Sequence, residues 1–209
     1  MRVIFIRHGQ TEWNKLGKLQ GQTDVPLDSI GEEQALKVNT RLEKLDIDLL
    51  FSSPLERARE TLKPSYKKKC AIVFSKHLLE RNFGCLQGLD LKCEKLRDYR
   101  KFDILKKTKD PDYPPPGGES LNDVKFRIVV FLHFLKSLNT SKTLVCMTHG
   151  GVLDIIFRIA NRISISSPRR WLIPNAGFFE ISCNSQKIKI KSWGDIEHLG
   201  ELKSLDEHR

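Results

Sequence analysis

Residues 3–9 read VIFIRHG, four apolar residues followed at once by two basic residues and a glycine. A short continuous apolar run of this kind indicates a strand that is buried on both faces, as in parallel sheets. Arg7 and His8 would then stand where that strand ends. Gly9 lets backbone amides approach an anion closely, and the Arg7 guanidinium offers a planar fork that matches phosphate oxygens. This stretch predicts an anion site that contains a potential imidazole nucleophile.

A second stretch repeats this arrangement in the C-terminal half of the chain. Residues 143–151 read TLVCMTHGG, so His149 also follows an apolar run and precedes glycine. A third strand, predicted over residues 48–51, leads into a helix that carries Arg57 in its first turn. Ligands of parallel α/β sheets bind beyond the carboxyl ends of the strands. We therefore expect His8, His149 and Arg57 to converge at one edge of a sheet.

The rest of the sequence alternates between strand and helix patterns. Further strands are predicted over residues 71–74, 178–182 and 187–193, and helices over residues 28–45, from Pro54 onward, 119–138 and 152–160. Strands that alternate with helices indicate the α/β class. We predict a three-layer sandwich with a mainly parallel central sheet flanked by helices. The last two strands look like a closing pair, and apolar and polar residues alternate in the second of them, which indicates one wet face.

The length of 209 residues suits one well-buried domain and is short for two. We predict a single domain over residues 1–209. Residues 81–118 are less regular and end in a stretch rich in proline and glycine, PDYPPPGG. They predict an excursion that holds one or two helices and then a turn-rich loop, and that faces the substrate.

The formal net charge of +10 is compatible with binding of nucleic acid, with attraction of phosphorylated small molecules, or with a surface that is simply basic. The short lysine clusters at residues 67–69 and 106–107 are not interleaved with aromatic residues, and no helix-turn-helix or finger pattern is visible. A phosphorylated small molecule is therefore favoured over nucleic acid.

The five cysteines are odd in number and include no CxxC pair, which argues against a disulfide framework or a zinc site. No stretch approaches the roughly 20 apolar residues of a membrane span, and the N-terminal apolar run is too short for a secretory signal. We expect a cytoplasmic protein with no membrane partner and no metal.

Five blocks of the sequence together resemble the histidine phosphatase superfamily, in its phosphoglycerate mutase-like branch. The blocks are RHGQTEWN at residues 7–14, SSPLERARET at 52–61, LLERNFGCLQG at 78–88, PGGES at 116–120 and THGG at 148–151. They occur in the order that is typical of the family, and the resemblance extends from residue 2 to about residue 199. It implies the phosphoglycerate mutase-like fold.

The resemblance also implies a role for each residue of the site. His8 would be the nucleophile that becomes phosphorylated, and Glu80 would be the general acid that protonates the leaving oxygen. Arg7, Arg57 and His149 would surround the phosphoryl group. The other positions that match phosphate or substrate contacts are Asn14, Gln20, Gly21, Arg81, Phe83 and Gly150. No cofactor is implied, because positive side chains can stabilise the phosphoryl charge without a metal.

The family contains both phosphatases and mutases, which differ in whether water or a second hydroxyl takes the phosphoryl group from the histidine. We expect a phosphomonoester hydrolase that acts on a small phosphorylated metabolite. Gly151 stands where mutases usually carry asparagine, and residues 110–114 lack the paired arginines that mutases have there. PGGES and SWGDIEHL, at residues 192–199, are typical of broad-specificity and cobalamin-pathway phosphatases.

Three other hypotheses stay open. The string ERNFGCLQG favours a 2,3-bisphosphoglycerate-dependent phosphoglycerate mutase, and Lys92 lies next to the position of a mutase lysine. Relatives that have lost catalytic residues serve as phosphate-binding modules, although every residue with an implied catalytic role is present in this chain. The strand predicted over residues 187–193 could be an edge that pairs with a second copy, which would give a homodimer.

Overall fold

The computed structural model describes residues 1–64, 71–92, 99–138, 143–184, 187–202 and 204–206. The strands are β1 (Arg2–Arg7), β2 (Leu49–Ser52), β3 (Ile72–Phe74), β4 (Thr143–Thr148), β5 (Phe178–Cys183) and β6 (Ile188–Asp195). The helices are α1 (Glu12–Leu16), α2 (Ser29–Leu42), α3 (Glu56–Leu62), α4 (Tyr99–Lys107), α5 (Leu121–Ser137) and α6 (Gly150–Asn161). Short 3₁₀ turns cover Lys76–Leu78, Gly84–Leu86 and Glu197–Leu199.

The six strands form one sheet in the order β3-β2-β4-β1-β5-β6. β4 pairs in parallel with both β1 and β2, and β2 pairs in parallel with β3. β5 runs antiparallel to β1 and to β6, so the last two strands close the sheet on one side. The predicted mainly parallel sheet and its closing strand pair are confirmed.

The apolar run of β1 is buried because helices cover both faces of the sheet. Val3 and Phe5 pack into a cluster with side chains of α5 and α6, whereas Ile4 and Ile6 pack with side chains of α2 and α3. Successive side chains of a strand point to opposite faces, so a strand covered on both sides needs apolar residues at every position. The predicted three-layer α/β sandwich is confirmed, and the prediction of a single domain over residues 1–209 stays a prediction.

Two local details differ from the sequence-based expectations. The helix expected to open at Pro54 begins at Glu56, and Pro54 lies in the bend before it. The short helix α1 was not predicted. It is held by a capping box, in which the Thr11 hydroxyl accepts the Asn14 N–H at 3.2 Å and the Asn14 Oδ1 accepts the Thr11 N–H at 3.0 Å. Thr11 therefore serves as the N-cap of α1.

The excursion contains the 3₁₀ turn Gly84–Leu86 and helix α4. Its apolar side chains gather in a small cluster of their own, where Leu105 of α4 packs with the buried Leu19, Leu86 and Leu89. Cys70, Cys93 and the lysines at residues 67–69 lie outside the described residues. Of the helices that the structure describes, none is long and apolar enough to cross a membrane.

Candidate active site

The two histidines that follow strand ends lie side by side. Arg7 and Thr148 are register partners at the ends of β1 and β4, so the next residue of each strand, His8 and His149, leaves the sheet at the same edge. The His8 N–H donates to the Thr148 carbonyl at 3.1 Å. The centroids of the two imidazole rings are 5.1 Å apart. The parallel pairing of the two strands thus produces the predicted convergence.

The hydrogen bonds of His8 define its tautomer. Nδ1 lies 2.6 Å from the carbonyl oxygen of Gly9, and since a carbonyl can only accept, Nδ1 carries the proton. Nε2 accepts a hydrogen bond from Nε of Arg57 at 3.3 Å, so it presents a lone pair. Burial lowers the pKa of His8 well below its usual value, and the charges of Arg57 and Arg7 lower it further. His8 is therefore a neutral imidazole with its free nitrogen at Nε2.

The two arginines are anchored by backbone carbonyls of loops that are distant in sequence. Arg57, which is 1% exposed, donates from Nη2 to the Gly21 carbonyl at 2.8 Å and from Nη1 to the Thr23 carbonyl at 3.1 Å. Gly21 has a φ of +56°, a conformation that favours glycine. Arg7 donates from Nη1 to the carbonyl of Ile173 at 2.6 Å. The two guanidinium groups are thus held in place as fixed positive charges beside His8.

His149 lies beside His8 and is fully buried. Its Nε2 lies 2.7 Å from the Oγ of Ser53, which follows the end of β2. Nδ1 makes no hydrogen bond among the described residues. Burial lowers the pKa of His149 well below its usual value, and the nearby Arg57 lowers it further. This ring is neutral as well and lies against the His8 ring.

The carboxylate of Glu80 reaches the start of α6. Its Oε1 accepts the Arg81 N–H at 2.7 Å, and its Oε2 accepts the Gly151 N–H at 3.0 Å. A Cβ atom on residue 151 would lie only 2.3 Å from Oε1 of Glu80. The missing side chain at Gly151 is therefore what lets Glu80 take this place beside the strand ends.

A cavity of about 320 Å³ opens over these groups. It is lined by nine of the residues predicted for the site, namely Arg7, His8, Asn14, Gln20, Gly21, Arg57, Glu80, Phe83 and Gly150. Two predicted residues lie elsewhere. His149 is fully buried next to His8 and does not line the cavity. Arg81 lines an adjoining cavity, where its Nε donates to the Glu119 carbonyl at 2.9 Å. Lys18 and Lys92 add positive charge to the lining.

The chemistry of the cavity is that of an anion site with a nucleophile. Within the described ranges, no three histidine, cysteine, aspartate or glutamate side chains gather closely enough to hold a metal ion. The neutral imidazole of His8 lines the cavity together with Arg7 and Arg57. Such groups can stabilise the negative charge that spreads over a phosphoryl group in transfer.

A family model described as the histidine phosphatase superfamily, branch 1, matches residues 3–196 of this chain. The chain belongs to the histidine phosphatase superfamily. The resemblance drawn from the five sequence blocks is thereby confirmed.

Some relatives of this histidine phosphatase are named as phosphoglycerate mutase-like proteins and others as phosphatases. It is 34% identical to phosphoglycerate mutase-like protein 4 of Arabidopsis thaliana, over 97% of this chain and 89% of the relative. It is 30% identical to a metal-independent phosphoserine phosphatase of the same organism, over 97% and 85% of the two chains. A mutant phosphoserine phosphatase from Entamoeba histolytica, solved in complex with phosphoserine, superposes with a TM-score of 0.80 at 27% identity, covering 95% of this chain and 98% of that one.

Several residues that support the histidine phosphatase site were not found from the sequence. The buried Asn175 donates from Nδ2 to the His8 carbonyl at 3.2 Å. Ala176, whose φ is +56°, donates its N–H to the same carbonyl at 3.1 Å. The Thr61 hydroxyl accepts the Gly9 N–H at 2.9 Å. The turn sequence PNAG at residues 174–177 was the available signal, since asparagine and glycine mark turns, but a turn signal does not say which strand end the turn contacts.

The C-terminal segment, residues 204–206, holds this turn from the other side. Ser204 donates its hydroxyl to the Asn175 carbonyl at 2.7 Å, and the Asn175 N–H donates to the Leu205 carbonyl at 2.9 Å. Oδ2 of Asp206 accepts the N–H of Ile173 at 2.9 Å. Because the Ile173 carbonyl receives Arg7, the C-terminal segment supports the turn that positions both Arg7 and His8.

Proposed function

We propose that this chain is a phosphomonoester hydrolase that acts on a small phosphorylated metabolite through a phosphohistidine at Nε2 of His8. One observation carries the proposal. Nε2 of His8 is free of its proton, faces the cavity and lies 3.3 Å from the guanidinium of Arg57. A nucleophile and a positive charge for the attacked phosphoryl group are thereby already in place.

The proposed reaction has two steps. Glu80 begins the first step in its protonated form. Nε2 of His8 attacks phosphorus, the bond from phosphorus to the ester oxygen breaks, and the carboxyl group of Glu80 gives its proton to the leaving alcohol. In the second, water attacks the phosphohistidine, Glu80 takes a proton from that water, and inorganic phosphate leaves with His8 restored. Arg7 and Arg57 stabilise the charge on the phosphoryl oxygens in both steps.

Hydrolysis is favoured over transfer to a second hydroxyl by the presence of glycine at position 151. Mutases usually carry asparagine at this position, and a side chain there would collide with the carboxylate of Glu80 as it is placed here. The names of the phosphoserine phosphatase relatives also support hydrolysis of small phosphate esters.

A phosphoglycerate mutase is the second candidate. Lys92 lines the cavity next to the position where mutases carry a lysine, and it could bind a second anionic group of a substrate. The relative named phosphoglycerate mutase-like protein 4 supports this candidate. A non-catalytic phosphate-binding module is less well supported, because a proton-free nucleophile and its charged neighbours are assembled.

Purified protein should hydrolyse p-nitrophenyl phosphate without bisphosphoglycerate, and acid quenching with labelled ester should trap an acid-labile phosphoprotein. His8→Ala should lose the phosphoprotein and reduce turnover by at least about a thousandfold, since no other nucleophile replaces the ring. His133→Ala, at an exposed histidine of α5, is the matched control and should retain both. Efficient interconversion of 2- and 3-phosphoglycerate with negligible hydrolysis would support the mutase instead, and full turnover in His8→Ala would refute the covalent step.

We also infer that the protein works in the cytoplasm, without a nucleic-acid partner. The thiols of Cys146 and Cys183 are buried and free, which suits a reducing compartment.

Phe83, Leu91 and Lys92 line the cavity, and this supports the inference that the excursion of residues 81–118 faces the substrate. β6 lies at one edge of the sheet, and pairing of two copies there stays a prediction that sedimentation measurements can test.

A further inference from the structure

A second cavity of about 360 Å³, which we call the annex, adjoins the cavity over His8. The two share Leu19, Phe83 and Leu91, together with the two glycines at the start of α6. A molecule whose phosphate lies at His8 can therefore extend into the annex without leaving the protein surface.

The walls of the annex are mainly apolar and come from three separate elements. Besides the shared residues, they include Leu105 of α4, Leu121 and Val124 of α5, and Ile155 of α6. Val124 and Ile155 belong to the main hydrophobic core. Leu105 and Leu121 are half-buried. The annex is thus an extension of the apolar interior that opens beside the phosphate site.

Three charged side chains, those of Arg81, Asp154 and Arg169, also line the annex. Asp154 pairs with Arg158 at 2.7 Å, and Arg169 pairs with Asp206. Arg81 donates from Nε to the Glu119 carbonyl, its Cζ lies 5.2 Å from the centre of the Phe83 ring, and its Nη2 is buried without a hydrogen-bond partner among the described residues. The other walls of the annex are mainly apolar, so a charged group that entered it would lose most of its water, which is costly.

We propose that the annex binds the apolar part of the substrate alcohol, so that the preferred substrates are phosphate monoesters of aryl-substituted or branched alkyl alcohols. This proposal rests on the proposed function, which places the phosphoryl group at His8. Burial of an apolar group of this size raises the specificity constant by at least about tenfold over a compact polar ester.

The test compares esters with similar leaving groups, so that chemistry does not mask binding. 2-Phenylethyl phosphate and 3-methylbutyl phosphate represent apolar alcohols, and O-phosphoserine and 3-phosphoglycerate represent compact polar ones. We expect kcat/KM to be at least about tenfold higher for the apolar pair. Equal values, or a preference for the polar pair, would overturn the proposal.

A charged variant tests whether the annex is the source of the preference. Leu121→Asp places a carboxylate in the annex at the first position of α5, where an acidic residue is compatible with the helix. It should lower kcat/KM for the apolar esters by about tenfold and leave O-phosphoserine unchanged. Leu36→Asp, at an exposed leucine of α2 on the opposite face of the sheet, is the matched control and should change neither. An apolar preference that survives Leu121→Asp would assign it to another surface and overturn the proposal.

Binding without turnover separates this proposal from the proposed function. Calorimetry should show that phenylphosphonate binds at least about tenfold more tightly than methylphosphonate, and that Leu121→Asp removes the difference. If that result came with no hydrolysis of any ester, the annex would stand and the proposed function would fall. Equal affinities of the two phosphonates would overturn the annex alone.

Discussion

At the scale of single residues, Arg57 shows how the site is held together. Its guanidinium makes three hydrogen bonds in different directions, to the carbonyls of Gly21 and Thr23 and to Nε2 of His8. A planar fork can satisfy all three at once, whereas an ammonium group on a flexible stem cannot reach them from one position. The shape of the side chain matters here as much as its charge.

Arg57→Lys should therefore lower kcat/KM by about a hundredfold although the charge is retained, because the ammonium cannot hold both the loop and the phosphoryl oxygens. Steady-state kinetics with a phosphate ester would measure this. Arg59→Lys, at an exposed position of the same helix, is the control and should stay within about twofold of the parent protein. Activity of Arg57→Lys within about twofold of the parent protein would show that only the charge of Arg57 matters.

The buried histidines predict how stability depends on pH. The pKa values of His8 and His149 lie well below the usual value in the folded protein, and the pKa of the partly buried His198 is lowered to about 4. Below a pH of about 6.5 the unfolded chain binds protons that the folded protein does not, so the free energy of unfolding falls as pH decreases. Each fully buried ring contributes a slope of up to about 1.4 kcal/mol per pH unit.

Urea unfolding between about pH 7 and pH 5 should show this loss before most carboxylates titrate. His149→Gln removes one of the titrating rings and should flatten the slope in that range. The exposed His133 offers the control, since His133→Gln should leave the slope as it is. A free energy of unfolding that is constant across this range would contradict buried neutral histidines.

The sequence identified the residues that follow strand ends far better than those that support them. His8 and His149 were found because an apolar run ended before each of them, and parallel pairing then placed their rings 5.1 Å apart. Asn175 and Thr61 bind the backbone of His8 and Gly9 from segments that are remote in the chain. Such contacts depend on how tertiary packing brings loops together. The periodicity of a local stretch of sequence does not predict these contacts.

At the scale of elements, the start of α6 and the loop that carries Glu80 fit each other closely. The Gly151 N–H donates to the carboxylate of Glu80, and no Cβ lies between them. Helix boundaries of this kind were predicted only to within a few residues, as the expected start of α6 at Val152 and its observed start at Gly150 show. The resemblance implied a phosphate or substrate contact at Gly150, and the structure shows in addition that Gly151 leaves room for the Glu80 side chain.

Gly151→Ala should therefore displace Glu80 and lower kcat by about ten- to a hundredfold, with a smaller effect on KM, because proton delivery to the leaving oxygen is disturbed. A double-mutant cycle provides the control. In a Glu80→Ala background the clash is gone, so adding Gly151→Ala should have little further effect on kcat. Independent, additive losses in the two variants would show that Gly151 does not act through Glu80.

At the scale of the whole molecule, the sheet order explains why distant parts of the sequence meet at one site. β1 lies between β4 and β5, so its carboxyl end is flanked by the start of α6 on one side and by the turn at residues 174–177 on the other. The predicted α/β alternation was sufficient to predict that the start of α6 lies beside this end of β1. It could not predict the position of the turn at residues 174–177, since the antiparallel placement of β5 against β1 depends on how the closing strands fold back.

The C-terminal segment extends this arrangement, and removing it should impair the site without destroying the sheet. A chain that ends after Leu202 loses the bonds of Ser204 and Leu205 to Asn175 and that of Asp206 to Ile173. The turn then holds Arg7 and the His8 backbone less firmly, and we expect kcat/KM to fall by about tenfold or more, because displacements well under an ångström matter in phosphoryl transfer. A chain that ends after Asp206 keeps all of these bonds and serves as the matched control, with kinetics and thermal unfolding measured for both. Equal kinetics in the two truncated chains would show that the turn holds its shape without the segment, whereas a loss confined to the shorter chain would establish that residues 204–206 position the nucleophile from the far end of the sequence.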